Sequence, residues 1–223
     1  MEGTIVLILI IIAFSTSRSI MIRRLHKDLR KPFPQFKKQT FGYYMFFDVE
    51  TTGLLPLIID YRVKKNRLPN VVQIAWLVFD SEGSFIKRES FIIRQDYPIP
   101  RSSTRIHGIT DKKAAEQGVE FKHVAELFLQ DYSNAEIIIA HNARFDVLVM
   151  QGMLVKNNLY VNLNSKTIHC TMLNTTSMCR LPKKHDYPGY KWPTLEELTK
   201  QVYIGSQRYS LKLKGFHNAS KDA

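Results

Sequence analysis

Beyond residue 40 the apolar residues of this chain fall into short runs whose length and spacing predict strands. Tyr43-Tyr44-Met45-Phe46-Phe47 is an apolar and aromatic run that predicts a buried strand over 43–48. Further strands are predicted over 71–80 and 84–94, joined at Ser81-Glu82-Gly83 by a hairpin turn, then over 136–140, with a short fifth near Thr167-Ile168-His169. Helical periodicity predicts helices over 111–117, 120–132, 143–157 and 194–203, and another starting near His217. Hairpin strands first, then strands separated by helices, predict an α/β domain on a mixed sheet.

The pattern also places acids at strand and helix ends. Asp48 and Glu50 stand at i and i+2 in Phe47-Asp48-Val49-Glu50-Thr51-Thr52-Gly53, so in extended chain both side chains leave one face of the sheet. Two adjacent carboxylates repel, and a cation between them relieves that repulsion. Asp146, in His141-Asn142-Ala143-Arg144-Phe145-Asp146, is placed on the first turns of the helix that follows the 136–140 strand. His217 and Asp222 are five apart, about one and a half helical turns. Four carboxylates gathered in these contexts suit hard divalent cations. The histidine is the side chain suited to take a proton from water near neutral pH. An Asp-x-Glu alone is usually a solvated strand end; the combination points to phosphodiester cleavage assisted by two cations.

These motifs resemble the DEDDh, or DnaQ-like, family of 3′–5′ exonucleases, the group that includes the epsilon proofreading subunit of bacterial DNA polymerase III and RNase T. Asp48 and Glu50 match the first motif, Asp146 the second, and His217 with Asp222 the third. Supporting matches are Val71-Val72-Gln73-Ile74-Ala75, the turn Ile106-His107-Gly108-Ile109-Thr110, and Lys191-Trp192-Pro193-Thr194-Leu195-Glu196-Glu197-Leu198. The resemblance covers roughly residues 42–223. It implies an RNase H-like fold with a central five-stranded mixed sheet flanked by helices. It implies that Asp48 bridges two divalent cations, Mg²⁺ or Mn²⁺, that Glu50, Asp146 and Asp222 complete the cage, and that His217 takes the proton from the attacking water, releasing 5′-mononucleotides. It further implies that Thr51, Thr52 and Gly53 hold the terminal nucleotide, with Leu54 against its base and His107 approaching it; simple loop packing is the alternative for Leu54.

Composition suits a polyanionic partner. The 223 residues carry a formal charge of +12 and a sequence pI near 9.7, enough chain for one domain with a sizeable core. Basic residues cluster at 18–38, at Arg62, Lys64, Lys65 and Arg67, and more loosely at Lys183, Lys184, Arg208, Lys212 and Lys214. The first cluster reads as a solvated face; the second, just after the Asp48/Glu50 strand, reads as substrate-facing. Nucleic acid with a single-stranded or frayed 3′ end is the expected partner, DNA ahead of RNA, with a DNA polymerase subunit as a further candidate. The alternatives are an RNA exonuclease of the same family and an inactive nucleic-acid-binding or polymerase-associated module. Cys170 and Cys179 are the only cysteines, which suggests no disulfide framework. A zinc site from His169, Cys170, Cys179 and His185 is a rival reading, although its spacing is not that of a familiar finger.

The domain organisation follows: an apolar N-terminal segment at 1–20, a basic linker at 21–40, and an exonuclease domain at 41–223 whose last helix looks truncated. The Ile5–Phe14 run is short for a spanning helix, which needs about 20 residues. Glu2 and the absence of an early basic residue argue against a secretory signal. Membrane contact through residues 4–17 and a translation start at Met21 both stay open; the reading adopted is cytoplasmic, with N-terminal anchoring as the alternative. Ala223 follows Asp222 directly, so the last expected metal ligand stands at a chain end, where order is poor.

Overall fold

The computed structural model describes residues 42–56, 68–184 and 188–204. The N-terminal segment and linker, the Arg62–Arg67 cluster, His185, His217 and Asp222 lie outside the described residues. Five strands form one sheet in the order β3-β2-β1-β4-β5: β1 (Tyr43–Thr51), β2 (Val71–Phe79), β3 (Phe85–Ile92), β4 (Ala135–Ala140) and β5 (Thr167–Cys170). β1, β2 and β3 pair antiparallel, whereas β4 pairs parallel with both β1 and β5. Six helices accompany them among the described residues: α1 (Arg101–His107), α2 (Asp111–Gln117), α3 (Phe121–Asn134), α4 (Ala143–Lys156), α5 (Thr171–Cys179) and α6 (Leu195–Ile204). This is the expected RNase H-like mixed sheet.

Both faces of the sheet are covered. Met45, Phe47 and Val49 of β1 and Ile74, Trp76 and Val78 of β2 pack against Val124 and Phe128 of α3 and Met150 and Leu154 of α4. Phe46 of β1, with Ala75, Leu77 and Phe79 of β2, packs on the other face against Cys179 of α5 and Leu198 of α6. All nine residues of β2 are therefore buried, which is why its sequence reads as an apolar run interrupted by Gln73 alone. Phe128 sits edge-on to both Phe47 and Trp76, at centroid distances of 5.4 and 5.6 Å. The Trp76 indole donates to Asp131 Oδ2 at 2.8 Å, and Lys87 pairs with the same oxygen at 2.6 Å. Phe128→Ala is expected to cost about 3–5 kcal/mol of stability in urea denaturation, the range for emptying an aromatic core position.

Turn chemistry sets the connections. Asp80 Oδ1 accepts from the amides of Glu82 and Ser84, and Gly83 takes φ 84°, closing the β2–β3 hairpin where Ser81-Glu82-Gly83 predicted it. Two helices escape the periodicity reading. α1 buries only Ser103 and His107, so it has no apolar stripe. α5 buries Thr171, Thr175 and Cys179, a stripe of small residues, and its threonine hydroxyls bond back to the carbonyls four residues earlier (Thr175 to Thr171 and Thr176 to Met172, both 2.8 Å).

Candidate active site

Asp48 and Glu50 both lie inside β1, which runs past the expected end at residue 48: pairing with β2 continues to Thr51, with an irregularity between Glu50 and Thr51. They share the sheet face of Phe46, so that face changes along β1 from core to carboxylate. Glu50 is buried and its cross-strand partner is Gln73, also buried, whose Oε1 has no hydrogen-bond partner among the described residues.

Asp146 reaches the same strand from α4. Asn142, with φ 63°, turns the chain sharply after β4, and Phe145 N donates to its carbonyl at 2.8 Å. Asp146 then stands in the first helical turn, 2% exposed, and its Oδ1 accepts from Val49 N at 3.2 Å. The pairing of β1 with β4 stops at Phe46–Ile139, so further along β1 this amide is met by a helix carboxylate. Val49 lies between Asp48 and Glu50 in sequence, so one hydrogen bond brings the second acidic motif to the first. Burial holds the Asp146 carboxyl well above the usual carboxylate range, and the negative charge of Glu50 adds to that rise against the lowering effect of the Val49 amide.

Such a pair fits a divalent cation: a buried carboxylate forced up by desolvation and by a like charge regains its ionised form when a positive charge arrives. Among the described residues no group of three or more His, Cys, Asp and Glu side chains is arranged to hold a metal ion by itself. The expected set is completed by Asp222, which lies outside the described residues, as does His217. For the zinc alternative, Cys179 is buried against the α5–α6 core with its thiol pushed up by burial, the opposite of a metal-binding thiolate.

The turn after β1 is ordered by its own threonines. Thr51 Oγ1 donates to Gly53 O at 2.6 Å. Thr52 N donates to Asn70 O and Asn70 N to Thr52 Oγ1, both at 2.9 Å, so the turn is tied to the entry of β2. Leu54 is 87% exposed, while Leu55 packs against the core, so loop packing does not account for Leu54. His107 ends α1; Gly108 caps the helix with φ 73°, and Thr110 caps α2 by accepting from Lys113 N. His107 Nδ1 accepts from Ile109 N at 3.1 Å, which assigns its proton to Nε2. That nitrogen is buried without a hydrogen bond of ordinary geometry among the described residues. Burial lowers the His107 pKa, and the Thr51 backbone facing the ring opposes the drop. The structure thus brings His107 to the Thr51 turn.

Three side chains had no assigned part in the sequence reading. Gln73 is visible only once the β1–β2 register is known. His141 joins three elements: Nε2 lies 3.1 Å from Pro193 O, which can only accept, and Nδ1 lies 3.0 Å from the Thr171 hydroxyl. That ring tethers β4, α5 and the segment entering α6; burial lowers its pKa and so favours the neutral form, against the bond to Pro193. Lys156, at the far end of α4, contacts the 68–70 segment.

The exonuclease family that takes its name from RNase T matches residues 45–223. The chain belongs to this family. It is the DEDDh group that the acidic motifs resemble. The chain is 36% identical over 177 residues to the epsilon subunit of DNA polymerase III from Haemophilus influenzae, covering 79% of this chain and 61% of that protein. It is 30% identical over 180 residues to a PolC-type DNA polymerase III from Streptococcus pyogenes, covering 81% of this chain and 10% of that one. The exonuclease domain here therefore spans less than two thirds of the curated relatives it matches. Among solved structures, E. coli exonuclease I in complex with a dA16 oligonucleotide aligns with a TM-score of 0.58 at 21% identity, over 81% of this chain and 38% of that one. The zinc-bound form of its complex with single-stranded DNA gives 0.57 at 20% identity, over 82% and 38%. These likenesses show the shared fold. No helix among the described residues is long and apolar enough to cross a membrane.

Proposed function

We propose that this chain is a metal-dependent 3′–5′ exonuclease that releases 5′-mononucleotides from single-stranded or frayed 3′ ends, DNA ahead of RNA, with residues 41–223 as the catalytic unit behind the 1–20 segment and the 21–40 linker. The observation that carries this reading is the hydrogen bond from Val49 N to the buried Asp146 carboxylate, which gathers acids from β1 and α4 at one place. Family membership and the 36% identity to an epsilon subunit support the reaction class, and that relative's name makes a DNA polymerase subunit a candidate partner.

Asp48, Glu50 and Asp146 would hold two divalent cations, Mg²⁺ or Mn²⁺, together with Asp222. When bound, such a pair lowers the pKa of an attacking water and offsets the charge that develops on the leaving 3′ oxygen. Asp146 is fixed for this task by the Val49 amide. His217 takes the proton from the attacking water. Thr51, Thr52 and Gly53 orient the terminal nucleotide, and exposed Leu54 meets its base. His107, with Nε2 buried beside the Thr51 backbone, approaches the same nucleotide through the turn it braces.

The test is a single strand labelled at its 5′ end, as DNA and as RNA, incubated with Mg²⁺, Mn²⁺ or EDTA. The expected result is a ladder shortened one nucleotide at a time with either cation and an intact strand in EDTA, with faster shortening of DNA. Immediate release of a labelled mononucleotide would mean attack from the 5′ end and contradict the proposed polarity. Faster shortening of RNA would reverse the substrate assignment.

A further inference from the structure

We propose that Lys156 is a positioning residue for the 3′-terminal nucleotide, acting from the last turn of α4 through Asn70 and Thr52 on the Thr51–Gly53 turn. The inference rests on the exonuclease reading above, and the experiment separates the two. Lys156 is half-buried, and Nζ donates to Leu68 O at 2.8 Å and to Asn70 Oδ1 at 2.7 Å, two neutral oxygens of the segment entering β2. A lysine on a helix surface ordinarily leaves its ammonium in water; here the ammonium is spent on neutral oxygens, at the helix end where the dipole favours a cation. Gly152, one turn earlier, carries the same segment closer still. A Cβ on Gly152 would stand 2.6 Å from Leu68 Cδ1, so a side chain there would turn the tip of Leu68 aside while its Cβ and Cγ stayed in ordinary contact. Pro69 between the two contacts is buried.

The far side of this segment is the candidate nucleotide grip. Asn70 and Thr52 exchange two hydrogen bonds of 2.9 Å, one from each backbone amide. The Asn70 side chain meets Lys156 while its backbone meets Thr52, so the residue is a link between α4 and the turn. Those bonds close the neck of the 52–70 connection, within which Arg62, Lys64, Lys65 and Arg67 lie in sequence. The opposite end of α4 carries Asp146. One helix therefore sets both the acid that meets β1 and the turn that follows it. Release at the Lys156 end is expected to loosen substrate binding and spare the chemical step.

The experiment measures binding of a short 5′-fluorescent single-stranded DNA by anisotropy in Ca²⁺, and KM and kcat on the same strand in Mg²⁺. Lys156→Met keeps the carbon stem and removes the donors. It is expected to raise Kd and KM about tenfold, the effect of losing a hydrogen bond to a charged group, with kcat changed by less than about twofold. Asn70→Leu is expected to do the same, and the double variant no more than either alone, because both break one link. Lys156→Arg, which keeps charge and donors, is expected to restore most of the affinity. Unchanged Kd and KM in a folded Lys156→Met protein would overturn the inference. So would a lower melting temperature alone, a fall in kcat at constant KM, or additive effects in the double variant. A wild-type protein that binds DNA in Ca²⁺ but does not cleave in Mg²⁺ would sink the exonuclease reading, while the binding series still decides the role of Lys156. Wild-type protein that binds no DNA would overturn both.

Discussion

Asp48→Ala is expected to lower turnover on a single-stranded 3′ end by at least about a thousandfold, equivalent to about 4 kcal/mol of transition-state stabilisation, while the protein stays folded. The reason lies in where β1 changes character. Phe46 is 1% exposed and packs against Leu77, Ile139 and Leu198, whereas Asp48, two residues on and on the same face, is only half-buried opposite Ala75. Asp48 belongs to neither apolar cluster, so its truncation is expected to act first through charge and cation binding. Initial rates in saturating Mg²⁺, with thermal melting of the same sample, separate this from instability. Phe128→Ala supplies the opposite pattern: a large loss of stability from a residue remote in chemistry. A folded Asp48→Ala protein with a rate within about tenfold of wild type would remove Asp48 from the proposed site.

Asp146→Asn is expected to abolish activity to a similar extent and to make the metal-free protein more stable at neutral pH. The amide oxygen still accepts from Val49 N, so the tie to β1 is kept while the charge is lost. In the wild type, burial first and Glu50 second raise the Asp146 pKa in the folded state. A group raised on folding gives its full contribution to stability below its unfolded pKa, about 3.9 for aspartate, and loses it as pH climbs through the raised value. In EDTA the wild type therefore sheds stability from acid towards neutral pH, and the variant lacks this component. The expected melting temperatures are higher for Asp146→Asn at pH 8, with the gap closing as pH falls. Mg²⁺ or Mn²⁺ reverses the order: it stabilises the wild type at pH 8 more than at pH 5, by binding the folded state, and does little for the variant. A variant that melts below wild type in EDTA at pH 8 would show that the ionised carboxylate is not under strain there.

Much of this arrangement is legible in sequence because the decisive signals are local. The β2–β3 hairpin follows from the Asp80–Gly83 chemistry, and the nearly continuous apolar run of β2 follows from burial on both faces. Placing Asp146 in a first helical turn needs only the periodicity after Ala140, and the resemblance names the acids. The hidden parts have non-local or atypical causes. Thr171, Thr175 and Cys179 bury a helix face without large apolar residues, and α1 has no such face at all. The strand read from the apolar run stops at residue 48 because carboxylates rarely continue one, yet the ladder with β2 carries it through Glu50 to Thr51. The contact of Lys156 with Asn70 joins residues 86 apart and leaves no trace in either segment alone. Leu54 and Leu55 look alike in sequence, and only the fold shows that Leu55 packs inward and leaves Leu54 exposed.

The central claim is that β1 and α4 together form a site for divalent cations that serves phosphodiester hydrolysis. Titration of Mn²⁺ into the full chain, following free ion by electron paramagnetic resonance, tests it most directly, with wild type and Asp48→Ala measured side by side. About two ions per wild-type chain are expected, as in two-metal nucleases, with marked weakening of both in Asp48→Ala, whose carboxylate would help to hold them. A folded wild-type protein that takes up no Mn²⁺ at millimolar concentration, or an Asp48→Ala protein that binds as the wild type does, would contradict it.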